Sequence, residues 1–147
     1  EGIQDVRGSL NRLRPGALEG RTLKDALEKM IREYQTLSNL QVDLHYEWVD
    51  VDMDVMIEDT IFRVIQESMT NAVRHGHASQ MSLHFFENEE DYLIELQDNG
   101  VGFETLTYGY GLKQMMERIS ILGGQLQFES RDGFFTRISL PKYKEGR

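Results

Sequence analysis

Apolar residues recur along most of the chain with the spacing of helices or of strands. From Thr22 to Leu37 they form one helical stripe, and Thr22 to Asp25 is a variant of the capping box that begins helices. The spacing also predicts helices over Val55–His75 and after Gly111, where Gly123-Gly124 ends the stripe. Shorter runs predict five strands, at residues 42–48, 81–87, 92–98, 125–130 and 134–140.

The order of these elements is not the alternation of strand and helix found in doubly wound folds. It predicts an α+β fold, a two-layer α/β sandwich with helices packed on one face of a mixed β-sheet. Ile3–Arg14 also has helical spacing, is stopped by Pro15-Gly16, and is predicted to be the end of a longer helix. We therefore expect a terminal helix and linker over 1–20 and one domain over 21–147.

Composition narrows the classes of partner and ligand. The chain of 147 residues has no cysteine, which excludes disulfides and thiolate metal sites and fits a reducing compartment. Its net charge of -9 argues against nucleic acid as a partner. No apolar run approaches the roughly 18–20 residues that span a bilayer. An anionic ligand would need local donors and a metal ion to offset the overall charge.

The helix at Val55–His75 has a polar side that carries Arg63, Glu67, Asn71 and Arg74. Such a side is usually only solvated. Alternatively it is a metal and phosphate face, on which a carboxamide oxygen suits Mg²⁺, a carboxylate can act as general base, and a guanidinium meets phosphate oxygens. The helix alone favours the solvated interpretation.

Two polar side chains share the inward side of predicted strands. Asp98 has the parity of Ile94 and Leu96, and Thr136 has the parity of Ile138. A buried carboxylate needs a partner. That partner is either the backbone of a tight Asp-Asn-Gly turn or an exocyclic amine such as that of adenine, which Gly100 and Gly102 would let approach. Convergence of the two side chains would favour a polar ligand in an apolar slot.

Gly109-Tyr110-Gly111-Leu112 lies at the start of a predicted helix. Its glycines either expose backbone N–H groups to an anion or simply form a flexible cap. The four histidines are scattered, with His45 and His84 on the outward parity of their strands, and no paired spacing predicts a zinc site.

Together these segments resemble the nucleotide-binding boxes of the histidine kinase, gyrase, MutL and heat-shock chaperone ATPase superfamily. The run from Gln66 to His75 is similar to the N box, Asp98 to Phe103 to the first glycine box, Gly109 to Leu112 to the second, and Gly133 to Thr136 to the terminal Gly-Thr element. The Gly-Leu-X-X-Met-X-Glu-Arg pattern at Gly111–Arg118 resembles the nitrate-sensor and membrane-fluidity-sensor branch of bacterial sensor kinases.

The resemblance implies a Bergerat-type fold that binds ATP and Mg²⁺. It implies that Asn71 ligates Mg²⁺ and that Glu67 is the base or orients a water near the γ-phosphate. Arg74 and His75 would lie near phosphates, and Asp98 would accept the adenine amine with help from Thr136. Pocket and lid would be shaped by the remaining residues of the two glycine boxes: Gly100, Gly102, Gly109, Gly111 and Leu112.

The resemblance also implies partners. Residues 1–20 would form the end of a dimerisation helix and its linker. A histidine upstream on that helix, followed by an acidic residue, would accept the phosphate in a homodimer. None of the four histidines here has that context, so this chain by itself is expected to bind ATP without phosphorylating itself. A response regulator would receive the phosphoryl group next. The domain would lie in the cytoplasm, with an upstream region anchoring the protein in a membrane. An anti-sigma-type serine kinase and a non-catalytic nucleotide-binding regulator are the competing hypotheses.

Overall fold

The computed structural model describes residues 18, 20–101 and 110–142 of the chain. Three helices and five strands form this part, in the order that the apolar pattern predicts. Their bounds are α1 Leu23–Leu37, β1 Gln41–Tyr46, α2 Val55–Arg74, β2 Gln80–Glu87, β3 Asp91–Asp98, α3 Tyr110–Ile121, β4 Gln125–Ser130 and β5 Phe134–Pro141. The segment predicted as a helix at Ile3–Arg14 lies outside the described residues.

The five strands form one mixed sheet in the order β1-β2-β3-β5-β4. β1 and β2 are parallel, and every other neighbouring pair is antiparallel. β5 therefore lies between β3 and β4, so α3 crosses over to the far edge of the sheet before the chain returns. The predicted α+β sandwich with a mixed sheet is confirmed.

Alternation along the central strands separates a buried side of the sheet from an accessible one. In β2 the buried residues are Met81, Leu83 and Phe85, and β3 continues the same side with Ile94 and Leu96. These side chains join the inner faces of α1, α2 and α3 in one apolar core. The helices thus cover one face of the sheet.

The side chain of Asp54 caps the first turn of α2 by accepting from the amide of Met56. The inner side of α2 is apolar, and its buried residues are Ile61, Phe62, Val64, Ile65, Ser68, Met69 and Ala72. The helix packs against both α1 and α3. On its polar side Arg63, Gln66 and Arg74 are exposed. This placement fixes which residues of α2 can reach a ligand.

Several boundaries differ from the sequence prediction by one or two residues. β1 ends at Tyr46, whereas the alternation predicts a strand that continues to Trp48. Trp48 is nevertheless buried, because its indole ring packs on Phe85 and its Nε1 donates to the carbonyl of Phe86 at 2.7 Å. α2 ends at Arg74 rather than His75, which becomes the C-cap. In the described part of the chain, none of the helices is long and apolar enough to cross a membrane.

Candidate functional site

The polar side of α2 presents Glu67 and Asn71 half-buried, one turn apart, and leaves Arg63, Arg74 and His75 exposed. The carbonyl of Asn71 accepts from the amides of His75 and Gly76 at 2.9 and 3.0 Å, and these two bonds end the helix. No described residue hydrogen-bonds the side chains of Glu67 or Asn71. Both groups are therefore available to a ligand.

Asp98 is the last residue of β3 and is only 6% exposed. Its Oδ1 accepts from the backbone amide of Gly100 at 2.8 Å and from that of Phe134 at 3.1 Å. Burial raises the pKa of this carboxyl, while the two backbone hydrogen bonds lower it. None of the described residues donates to Oδ2, so the backbone fixes one oxygen and the other has no described donor.

The turn after Asp98 is fastened to the chain that leaves α2. The amide of Val101 donates to the carbonyl of Gly76 at 2.9 Å, and an ideal Cβ at Gly100 would lie 2.5 Å from the same oxygen. Asn99 Oδ1 accepts from the amides of Ser79 and Gln80, each at 2.9 Å. The end of the N-box helix and the first glycine box are therefore held against each other.

Thr136 is 1% exposed and lies on the inner side of β5. In the β3–β5 register it faces Leu96, which makes it the diagonal neighbour of Asp98 on the same side of the sheet. Such neighbours lie roughly 7–8 Å apart. The inward orientation that strand parity predicts is confirmed for both side chains.

The approach of β5 to Asp98 depends on Gly133. This residue has φ +130°, and a Cβ there would overlap the carbonyl oxygen of Asp98. Phe135, next to Thr136, turns to the opposite side of the sheet, where its ring lies 4.0 Å from the guanidinium carbon of Arg131. The large side chain before Thr136 is thus kept away from the polar pair.

The first turn of α3 meets the middle of α2. An ideal Cβ at Gly111 would lie 2.5 Å from Oε2 of Glu67. Leu112 is 4% exposed and belongs to the apolar core. Gly102 and Gly109 lie outside the described residues. The structure therefore shows two separate contacts between described box residues or their neighbours, Glu67 with Gly111 and Gly100 with Gly76.

Sequence reasoning missed some contacts that hold this arrangement. The carbonyl of Gly76 accepts from the amide of Val101 in the first glycine box, and the amide of Phe134 donates to Asp98. A further contact joins α1 to α2, where the hydroxyls of Tyr34 and Thr70 lie 2.6 Å apart. The Asn-Gly turn after β3 was a signal for tight backbone packing. No local signal pointed to Gly76 or Tyr34, because their partners are distant in sequence.

The described residues fit a nucleotide with its metal better than a metal held by protein alone. They contain no group of three or more His, Cys, Asp or Glu side chains placed to hold a metal ion. Mg²⁺ keeps several waters and usually takes only one or two protein oxygens together with phosphate oxygens. The free carboxamide of Asn71 could supply one such oxygen, with the exposed Arg74 nearby on the helix for a phosphate.

The chain is similar in sequence to one family of known proteins. Residues 56–144 match the family model described as Histidine kinase-, DNA gyrase B-, and HSP90-like ATPase. The signal transduction histidine-protein kinase/phosphatase UhpB of Salmonella typhimurium is 35% identical over 96% of this chain, which covers 29% of that protein. The sensor histidine kinase LiaS of Bacillus subtilis is 31% identical over 95% of this chain and is covered over 39%. The chain thus spans about a third of these relatives.

Solved structures with the same fold include two histidine kinase proteins. Acinetobacter baumannii histidine kinase AdeS has a TM-score of 0.70 at 20% identity, with 82% of this chain and 65% of that one covered. The ATP binding domain of PrrB from Mycobacterium tuberculosis has a TM-score of 0.66 at 21% identity, with 82% of this chain and 93% of that domain covered. This chain belongs to the family of histidine kinase-, DNA gyrase B- and HSP90-like ATPases.

Proposed function

We propose that this domain binds Mg²⁺-ATP and, in the intact protein, donates the γ-phosphoryl group to a histidine of a dimerisation domain. An aspartate of a response regulator then receives the group. The observation that carries the proposal is the buried Asp98, which has one oxygen fixed by backbone amides and the other free of described donors. The named sensor kinases among its relatives support the same assignment.

Asp98 is suited to read an exocyclic amine. Its free oxygen is an acceptor in a dry environment, where a hydrogen bond with a matched donor is strong and a mismatched one is costly. Adenine presents an amine as donor, whereas the corresponding position of guanine is a carbonyl that would repel a carboxylate. Thr136, buried on the neighbouring strand, lies close enough to assist directly or through a water.

The phosphates are assigned to the exposed end of α2 and to the start of α3. Asn71 is the proposed Mg²⁺ ligand, Arg74 and His75 lie near phosphate oxygens, and Glu67 acts as base or orients a water. Gly100 and Gly111, with Gly102, Gly109 and Leu112, shape the pocket. Catalysis in such a site is mainly positioning and neutralisation of charge. The bound Mg²⁺ would supply part of that neutralisation.

The surroundings of the domain follow from the same proposal. Residues 1–20 would form the end of the dimerisation helix and its linker, and 21–147 the ATP-binding domain. The intact protein would be a homodimer whose upstream region is anchored in a membrane, with this domain in the cytoplasm. Nucleic acid is not among the proposed partners, because the net charge of the chain is -9.

Titration of ADP or a non-hydrolysable ATP analogue into the chain, with Mg²⁺ and with chelator, tests the metal assignment. Asn71→Ala should weaken binding about tenfold or more with Mg²⁺ and leave the affinity in chelator unchanged, since loss of one ligand oxygen acts only through the metal. Asn39→Ala is the matched control, because Asn39 is exposed and lies in the turn between α1 and β1. Unchanged Mg²⁺-dependent affinity in Asn71→Ala would contradict the assignment.

Transfer to an added protein separates the candidate functions. With labelled ATP, the chain alone should carry no acid-labile phosphate, and an added dimerisation domain with a phosphoacceptor histidine should become labelled. Acid-labile label on the chain alone would overturn the proposal that the phosphoacceptor histidine lies in another domain. Label on a serine of an added antagonist protein would indicate an anti-sigma-type kinase, and binding without any transfer would indicate a nucleotide-binding regulator.

A further inference from the structure

Gly111 lies against the side chain of Glu67, where α3 begins beside the middle of α2. An ideal Cβ on Gly111 would lie 2.5 Å from Oε2, 2.9 Å from Cδ and 3.5 Å from Cγ of Glu67. The first two distances are shorter than non-bonded carbon contacts allow. The carboxylate of Glu67 therefore occupies the space that a methyl group at position 111 would need.

At two other glycines near the site, the atoms nearest to an added Cβ belong to the backbone. A Cβ at Gly100 would meet the carbonyl of Gly76, and one at Gly133 would meet the carbonyl of Asp98. Backbone held by its own hydrogen bonds cannot yield without disturbing the fold. At Gly111 the nearest atoms are the end of a flexible side chain, which can rotate away. A methyl group there would displace the carboxylate and leave the fold intact.

The position of this carboxylate is set by space rather than by hydrogen bonds. No described residue donates to Glu67, although Arg63, Gln66, Gln114 and Arg118 line the same groove between α2 and α3. The groove has a volume of about 170 Å³ and is open to solvent. A side chain without a hydrogen-bond partner occupies the space that its neighbours leave free. A small substitution beside the Glu67 carboxylate therefore changes its position.

We propose that Gly111 is a positioning residue for phosphoryl transfer, because its lack of a side chain leaves free the space that the Glu67 carboxylate occupies. The inference rests on the proposed role of Glu67 and gives Gly111 a second task besides its proposed share in shaping the pocket. Displacement of a catalytic group by about 1 Å can lower a rate on the order of a hundredfold. Gly111 therefore acts on the rate of transfer through Glu67 and has little effect on nucleotide affinity.

The test uses the whole chain, labelled ATP and an added dimerisation domain, with four proteins in a cycle: native, Gly111→Ala, Glu67→Ala and the double variant. Gly111→Ala should lower the transfer rate roughly 10- to 100-fold while the Kd for Mg²⁺-ATP changes less than about threefold. In the Glu67→Ala background the same substitution should cause no further loss, since the group that it displaces is gone. Lys113→Ala, on the exposed side of α3, is the matched control and should transfer at the native rate.

A Gly111→Ala variant that loses affinity for Mg²⁺-ATP tenfold or more, with or without Glu67, would overturn the inference and indicate direct contact with nucleotide. A native transfer rate in Gly111→Ala would also overturn it.

The carbon-13 signal of the Glu67 carboxylate, assigned with Glu67→Gln, provides a readout that needs no transferase activity. It should shift in Gly111→Ala and stay in place in Lys113→Ala. An unmoved signal in Gly111→Ala overturns the inference. A shifted signal in a chain whose native form transfers nothing would uphold the contact, while the proposed function would fail.

Discussion

Asp98 and Phe134 are 36 residues apart in the chain, yet the backbone amide of Phe134 donates to Oδ1 of Asp98 at 3.1 Å. The bond joins the end of β3 to the start of β5 at the point where Gly133 passes over the Asp98 carbonyl. With the amide of Gly100 as the second donor, it fixes one carboxylate oxygen and orients the other. The carboxylate is thus both a structural acceptor and the proposed reader of adenine.

Substitutions at Asp98 should separate these two roles. Asp98→Asn keeps an acceptor oxygen for the two backbone amides and turns an amide donor toward the ligand, so stability should change by less than about 1 kcal/mol. The preference for ATP over GTP should fall about 10- to 100-fold, because a buried donor facing a donor costs roughly 1–3 kcal/mol. Competition titrations with both nucleotides measure the preference.

Asp98→Ala is the companion variant. It removes the carboxylate oxygen that accepts from both backbone amides and should lower the free energy of unfolding by about 2 kcal/mol or more, measured in urea. If Asp98→Asn retains the native preference for ATP, Asp98 does not read the base.

Gly133→Ala should be among the most destabilising single changes near the site. The residue has φ +130°, and its new Cβ would overlap the carbonyl oxygen of Asp98. The unfavourable φ and the steric overlap together should lower the free energy of unfolding by roughly 3 kcal/mol or more. Gly20→Ala is the control, because Gly20 has φ +81° and nothing within 4 Å of the new Cβ. It should cost only about 1 kcal/mol. Equal losses in urea titrations of the two variants would show that the overlap with Asp98 is relieved cheaply.

The apolar pattern predicted most of the fold, because each helix or strand buries one side of its own sequence. Parity alone placed Asp98 and Thr136 on the inner side of their strands, and the structure confirms both. The alternation of residues along a strand carries no information about which strands are neighbours in the sheet. The position of β5 between β3 and β4 could therefore not be derived from it. The end of β1 was also misjudged, because Trp48 is buried without belonging to the strand.

The site was less predictable than the fold. The box residues were found from their types and order, but the contacts that align them join segments distant in sequence. Glu67 with Gly111 and Gly76 with Gly100 are examples. Each contact depends on the angle at which one element crosses another, and side-chain patterns do not encode that angle. The roles of Glu67 and Asn71 therefore remain predictions that the experiments above address.

Tyr34 and Thr70 should be energetically coupled across the α1–α2 interface, since their hydroxyl oxygens lie 2.6 Å apart in a partly buried setting. A double-mutant cycle of Tyr34→Phe and Thr70→Val should give a coupling of about 0.5–1.5 kcal/mol in the free energy of unfolding. Thr36→Val is the control, because the Thr36 hydroxyl donates to the exposed carbonyl of Arg32 in its own helix. It should change stability by less than about 0.5 kcal/mol. Additive losses in the cycle would mean that the bond contributes nothing measurable.

Tyr46 makes stability depend on pH in alkaline solution. Burial, and secondarily the negative charge of Glu58, raises the pKa of the Tyr46 phenol to about 12. An unfolded tyrosine ionises near pH 10. Between about pH 10 and 12 the native state therefore holds a proton that the unfolded state has lost, and the free energy of unfolding falls as pH rises through this window. A shift of about two pKa units corresponds to at most about 2.7 kcal/mol, and partial exposure of the ring reduces this to roughly 1–2 kcal/mol.

Urea denaturation at pH 8 and at steps from 10 to 12 measures this loss as the difference between native chain and Tyr46→Phe, which has no group to ionise. Titrations of the other groups are common to both proteins and cancel in the difference. Glu58→Gln should show a smaller loss than the native chain, because it removes the charge that disfavours the phenolate and leaves the burial unchanged. If the native chain and Tyr46→Phe lose stability in parallel up to pH 12, the phenol of Tyr46 ionises as easily in the folded protein as in the unfolded one.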